Sequence, residues 1–336
     1  MKDQEIISLS VIVPCYNVEK YLDKSLSCLE NQWGGRTDYE IIFINDASTD
    51  GTIQKLNQFK ERYPDNVVII DKQQNEGVSA GRNGALDIAR GTWITFFDPD
   101  DVFVKDGYYQ LLTLAEKEQI DILSFGIAIV EGNTDIDMPV DVGNNDIVWR
   151  GTSLDFMSKY HFGICTTSLY RRNVIAEHRF PKISICEDTV FSVSILLGNW
   201  RMARTDAKMY YYLYRPTSAT NTKNAARLSI QCDDIFEAIS SLYKLESGQR
   251  EDVKQRIADH LEKIFSPNLM TRLLLSNKCV SDIKTKVDAL KRMSLFPLCS
   301  VPGGKVMTEI MNLVYGHLWL LPLFRPIYRM YRYHHP

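Results

Sequence analysis

Residues 77–98 read GVSAGRNGALDIARGTWITFFD. The stretch from 77 to 91 reads as a helix stopped by Gly91, and TWITFFD (92–98) as a short apolar strand that ends on an aspartate. A helix feeding straight into such a strand is one step of a repeat, and the same step recurs upstream. NVVIID (66–71) is a strand, STDGTIQKLNQFKERY (48–63) a helix opened by capping residues, and YEIIFIND (39–46) another strand. Before them, residues 19–32 place Tyr21, Leu22, Leu26 and Leu29 on a helical stripe, and LSVIVP (9–14) is a β-branched run closed by proline. Strand and helix alternating at this pitch predict an α/β fold, a Rossmann-like, mostly parallel central sheet with helices on both faces. Ligands of such sheets collect at the carboxyl ends of the strands. Pro14-Cys15-Tyr16-Asn17, Asn45-Asp46-Ala47-Ser48 and Asp98-Pro99-Asp100-Asp101 stand there, so parallel strands would bring all three groups to one crevice.

Further along, residues 106–130 add a helix and the strand IDILSFGIAIV, and the acidic, turn-rich run 131–147 reads as a surface excursion or a loop near the site. GICTTSLYRR is a strand entering a helix, EDTVFSVSILLGNW a helix, and KMYYYLYR a closing strand. Beyond 224 the periodicity is helical to the end. A boundary near 222 therefore divides a catalytic-type domain, 1–222, from a helical C-terminal extension, 223–336. Within the first domain, residues 1–105 form the ligand-binding half and 106–222 a second half facing the other reactant.

The 336 residues carry a formal charge of −3, which disfavours nucleic acid as a partner. Seven cysteines without a CxxC pair read as reduced thiols rather than a disulfide frame or zinc site. MKDQEIISLS lacks the apolar core of a signal peptide, and no uncharged apolar run is long enough to span a bilayer, so the expected location is cytoplasmic.

FFDPDDVF (96–103) crowds Asp98, Asp100 and Asp101 at a strand end. Such carboxylates repel one another unless a divalent cation, an arginine or solvent lies among them. In isolation an Asp-rich turn is the simpler reading. Asp46, ending its strand, has the acceptor chemistry to take the imide N–H of a uracil or thymine ring, although guanine also offers N–H donors. Ser48 and Asp50 read as caps for the next helix. No GxGxxG follows the first strand, which disfavours a dinucleotide-binding dehydrogenase.

As a set, SVIVPCYNVEKYL, YEIIFINDASTDGT, NEGVSAGRNGAL…ARGTWITFFDPDD and CEDTVFS resemble, in order and spacing, the signature blocks of family 2 glycosyltransferases across about residues 8–200. The resemblance implies the GT-A fold and sugar transfer, with inversion, from a nucleoside diphosphate sugar, a UDP-sugar being favoured. The acceptor would be a hydroxyl of a glycan or lipid-linked glycan in surface polysaccharide synthesis. It further implies that Asp98 bonds the ribose, that Asp100 ligates Mn²⁺ or Mg²⁺ bridging the diphosphate, and that Pro14, Tyr16 and Asn17 lie against the base. Tyr16 would stack on it, a hydrophobic staple being the alternative. Arg82 would compensate the diphosphate or the acidic cluster. Asp188 would be the base that deprotonates the acceptor, with Glu187 orienting it or the acceptor. An acidic first helical turn is the plainer reading of that pair. Arg215 and Ser218 would approach the diphosphate. The rival readings are a non-catalytic sugar-nucleotide-binding protein of the same fold and a sugar-nucleotide nucleotidyltransferase, though VPCYNVEKYL lacks the glycine-rich phosphate loop that the latter needs.

The tail LVYGHLWLLPLFRPIYRMYRYHHP (313–336) opens with an apolar-leaning run, 313–324, too short to cross a bilayer, and reads as an interfacial segment. Arg325, Arg329 and Arg332 would meet anionic lipid, placing the protein peripherally on the inner face of the membrane; a packed C-terminal helix is the alternative.

Overall fold

The structure is a computed structural model and describes residues 6–131, 146–160, 162–215 and 222–334. Most of the expected 131–147 excursion and Ser218 lie outside the described residues. The chain divides into two compact units, one made of Met1–Lys182 with Glu187–Arg215, the other of Ile183–Cys186 with Pro216–Pro336.

The first unit opens with β1 (Leu9–Cys15), α1 (Glu19–Glu30), β2 (Tyr39–Asn45), α2 (Thr52–Arg62), β3 (Val67–Asp71), α3 (Val78–Ile88) and β4 (Trp93–Phe96). The strands pair in parallel in the order β3-β2-β1-β4. β1 and β2 are buried almost throughout, as apolar runs covered on both faces must be. The chain winds outward from β1 to β3 and then returns to β1's other side as β4. The carboxyl ends of β1 and β4 thus flank the point where strand order reverses, the place where such sheets open a crevice. Gly91 makes the tight entry into β4. A Cβ there would sit 2.4 Å from the Ser10 backbone nitrogen and 2.6 Å from the Trp93 carbonyl oxygen.

Beyond β4 come β5 (Val102–Phe103), α4 (Gly107–Lys117), β6 (Ile122–Val130), β7 (Ile147–Thr152), α5 (Ser153–Lys159), β8 (Ser168–Arg171), α6 (Arg172–Ile175), α7 (Glu187–Leu196) and β9 (Arg201–Leu213). They continue the same sheet as β4-β8-β6-β9, with β5 and β7 both pairing to β9. β8 is antiparallel to both β4 and β6, so the parallel pattern gives way to a mixed one past β4. Phe96, on β4, meets Phe180 and Phe191 edge-on at 5.2 and 5.7 Å, and those two rings stack at 3.8 Å. Such pairs are worth about 0.5–1.5 kcal/mol each beyond their buried area. They pin α7, and with it the Glu187-Asp188 pair at its start, to the central sheet.

The second unit contains α8 (Ala225–Glu246), α9 (Glu251–His260), α10 (Ser266–Leu275), α11 (Val280–Arg292), α12 (Gly304–Gly316) and α13 (Leu321–His334). Asn224 caps α8 by accepting the Ala226 and Arg227 amides. Buried Leu269, Leu273 and Leu274 of α10 pack in a core with Ile235, Ile239 and Leu242 of α8. Among the described residues no helix is long and apolar enough to cross a membrane.

Candidate active site

The acidic cluster sits at the carboxyl end of β4, and two arginines balance it. Arg82, on α3 and buried, donates from one Nη to Asp98 at 2.9 Å and from the other to Glu187 at 2.8 Å. Its bond to Glu187 joins residues 105 positions apart in sequence. Burial works against its charge, but Asp98, Glu187 and Asp188 outweigh this and hold the guanidinium protonated. Arg215, just past β9, pairs with the Asp100 carboxylate and the Asp100 carbonyl, and its guanidinium lies 4.4 Å from the centre of the Tyr21 ring. Arginine, one of the three partners weighed from sequence for the aspartates, thus pairs with both Asp98 and Asp100.

Asp101 has a different set of partners, from β9. Its carboxylate accepts the Tyr210 hydroxyl at 2.6 Å and the Leu213 amide at 2.9 Å, so it fastens β9 to the end of β4. Burial, then Asp100 and Asp98, push its carboxyl up to about 8. Tyr210 also accepts the Asp98 amide at 3.3 Å. The sequence reading missed Tyr210. KMYYYLYR offers four tyrosines of which Tyr210 alone is buried, and no local signal names its partner more than a hundred residues away.

At the start of α7, Asp188 accepts the Thr189 amide at 2.7 Å. Loss of solvent, then the Glu187 charge, push its carboxyl up to about 7, with Arg82 pulling the other way. Burial likewise raises Glu187, again opposed by Arg82. An acidic first helical turn is present, as the plainer reading held, yet its two carboxylates are not both free in solvent: Glu187 is buried and locked to Arg82, and Asp188 beside it is partly exposed.

The β1 and β2 loops brace one another. Pro14 lies inside β1, opposite Ile44, rather than past its end. Asn17, at φ +52°, gives its amide N–H to Ser48 Oγ at 3.0 Å and accepts the Thr49 amide at 2.8 Å. Ser48 therefore holds the loop after β1 and does not cap α2, which starts four residues later than expected. Asp50 does cap, accepting the Thr52 amide at 3.0 Å and the Glu19 amide at 3.1 Å, the first amides of α2 and α1. Asp46 accepts the Glu76 and Gly77 amides at 3.0 and 2.8 Å, fixing the turn into α3, where Gly77 takes φ +87°. Tyr16 is half exposed, its ring open to a ligand.

A divalent ion suits the chemistry of the Asp98-Asp100 pair. Both side chains are about one-third exposed, the donors are all carboxylate oxygens, and the field of Asp98 helps raise Asp100 above its ordinary value, after the loss of solvent. Among the described residues no cluster of three or more protein ligands forms, so an ion here would draw its remaining ligands from phosphate and water, as Mg²⁺-type sites do.

Residues 10–179 match the family model described as glycosyl transferase family 2. The chain belongs to that family. The poly(ribitol-phosphate) beta-glucosyltransferase of Bacillus spizizenii is 30% identical over 216 residues, covering 62% of this chain and 32% of that protein. The uncharacterized glycosyltransferase EpsJ of Bacillus subtilis is 27% identical over 295 residues, covering 83% and 82%. The chain thus spans about a third of the first relative's length and most of the second's. The crystal structure of Staphylococcus aureus TarS residues 1–349 in complex with UDP-GlcNAc superposes with a TM-score of 0.65 at 22% identity, over 97% of this chain and 91% of that one. The family 2 chain therefore has the GT-A fold expected from its sequence blocks.

Proposed function

We propose that this family 2 glycosyltransferase transfers a sugar, with inversion, from a UDP-sugar to a hydroxyl of a polyol-phosphate or glycan polymer, free or lipid-linked, in cell-surface polysaccharide synthesis on the cytoplasmic side. One observation supports the reading above the others: Arg82 joins Asp98, at the end of β4, to Glu187, whose neighbour Asp188 has a carboxyl raised to about 7. One guanidinium thereby links the carboxylate this reading assigns to the donor with the pair it assigns to the acceptor. The name of the Bacillus spizizenii relative supports the acceptor class, and the TarS complex supports the donor.

In this account Asp188 takes the proton of the acceptor hydroxyl as its oxygen attacks the anomeric carbon, and the bond to the diphosphate breaks with its electron pair leaving on UDP. Glu187 and Arg82 keep Asp188 in place and set its proton affinity. Asp100 would hold Mn²⁺ or Mg²⁺, which when bound offsets charge on the departing diphosphate, and Asp98 beside it would bond the ribose. Tyr16 and Asn17 would flank the base, with Pro14 setting the strand end behind them and Asp46 taking its imide N–H.

The test is transfer from UDP-glucose or UDP-GlcNAc to a poly(ribitol phosphate) acceptor, followed by UDP release, for the wild type and Asp188→Asn. Loss of about 10²–10⁴-fold in turnover with UDP binding retained is the expected result. Equal turnover in the variant would remove Asp188 from the reaction. Binding without turnover in either protein would favour the non-catalytic reading.

A further inference from the structure

The last two helices turn an apolar stripe outward. On α13, Leu323, Ile327 and Met330 stand at spacings of four and three, all about two-thirds exposed. On α12, Val306, Ile310 and Leu313 repeat the spacing and are exposed as well. Between the helices, at the 3-10 turn Leu318–Leu320, Trp319 is 70% exposed. Spacings of four and three put each triplet on one helix face. The opposite side of α13 carries Leu321 and Tyr328, which are buried. Exposed single apolar residues are ordinary, whereas a face of them on consecutive helices marks an interaction surface.

Two of the three arginines of this segment, Arg325 and Arg329, are engaged by backbone carbonyls of the protein itself. Arg325 donates to the Leu273 and Lys278 carbonyls at 2.9 Å each, and Arg329 to the Leu274, Leu275 and Ser276 carbonyls at 3.3, 3.4 and 2.5 Å. Leu273, Leu274 and Leu275 stand in the last turn of α10, with Ser276 and Lys278 just beyond it, so the two side chains cap that helix end and meet the negative end of its dipole. Neutral carbonyls do not cancel their charge. From Ile310 through His334 the chain has three arginines and no acid.

We propose that α12 and α13 bind an anionic lipid surface, with the aliphatic stripe and Trp319 entering the headgroup boundary while the capping arginines supply a positive field behind it. Charge selects this occupant. A second copy would set the same arginine-bearing, acid-free α13 segments against each other, whereas anionic lipid complements them. Trp319 at the rim of an apolar face also suits the interface, where an indole has one apolar side and one wet edge.

The test is co-sedimentation of the full chain with vesicles of phosphatidylcholine alone and with one-third phosphatidylglycerol, for the wild type, Leu323→Ser/Ile327→Ser and Trp319→Phe, with matched thermal melts and sedimentation velocity without lipid. The wild type should bind the anionic vesicles, lose binding as salt rises, and lose at least about tenfold in partitioning in the double variant at an unchanged Tm. Trp319→Phe should remove the vesicle-induced blue shift in tryptophan emission. No binding to either vesicle, or binding that the double variant leaves intact, would overturn the proposal. A lipid-independent dimer dissolved by the same substitutions would overturn it in favour of a second copy. Vesicle binding needs neither donor nor acceptor, so this result is separable from that of the transfer assay.

Discussion

A carboxylate that serves as a base at neutral pH needs surroundings that raise its proton affinity without trapping it as an acid. Loss of solvent and the Glu187 charge raise Asp188 to about 7, and Arg82 limits the rise. Because the base must be ionised to accept a proton, kcat/KM should fall as pH drops through about 7. Glu187→Gln removes the charge that raises Asp188, so the acidic limb of the profile should move to lower pH; a limb that stays in place would show that Glu187 does not set it. The motif residues were readable in sequence because each block is short and its members are neighbours. Their partners were not: Arg82 with Glu187, Arg215 with Asp100 and Tyr210 with Asp101 each span more than a hundred positions. Ser48 was misread as a cap because a hydroxyl near a helix start accepts an amide from another loop as readily as from its own helix.

Secondary elements of the first third follow their local signals closely, since each strand is a buried apolar run bounded by a turn. The exceptions lie at ends, where α2 begins only after the Asp50 turn has closed. Past β4 strand direction was not readable, because it depends on which strands β8 and β9 meet across the sheet, and local periodicity does not encode that. Two changes test what holds the elements together. Arg82→Met leaves Asp98 and Glu187 without their shared cation and should cost about 3–5 kcal/mol, read from denaturant unfolding; a loss below 1 kcal/mol would mean that water replaces the arginine. Gly91→Ala pushes a methyl group into the Ser10 amide and the Trp93 carbonyl, and should lower stability by about 1–3 kcal/mol through the β1–β4 pairing. An unchanged unfolding midpoint would show that the β4 entry shifts freely.

For the molecule as a whole, a chain of net charge −3 that concentrates aspartates at a strand end must neutralise them before it can bind a diphosphate. Two arginines do part of this, and Asp98 and Asp100 retain exposed oxygens. The central claim is that the Asp100 carboxylate holds a divalent ion against a nucleoside diphosphate. Calorimetric titration of UDP into the wild type and Asp100→Ala, each with and without Mn²⁺, tests it most directly. The account predicts binding by the wild type that strengthens at least about tenfold with Mn²⁺, and little or no metal effect in Asp100→Ala. UDP affinity indifferent to both Mn²⁺ and Asp100, or no UDP binding at all, would contradict it.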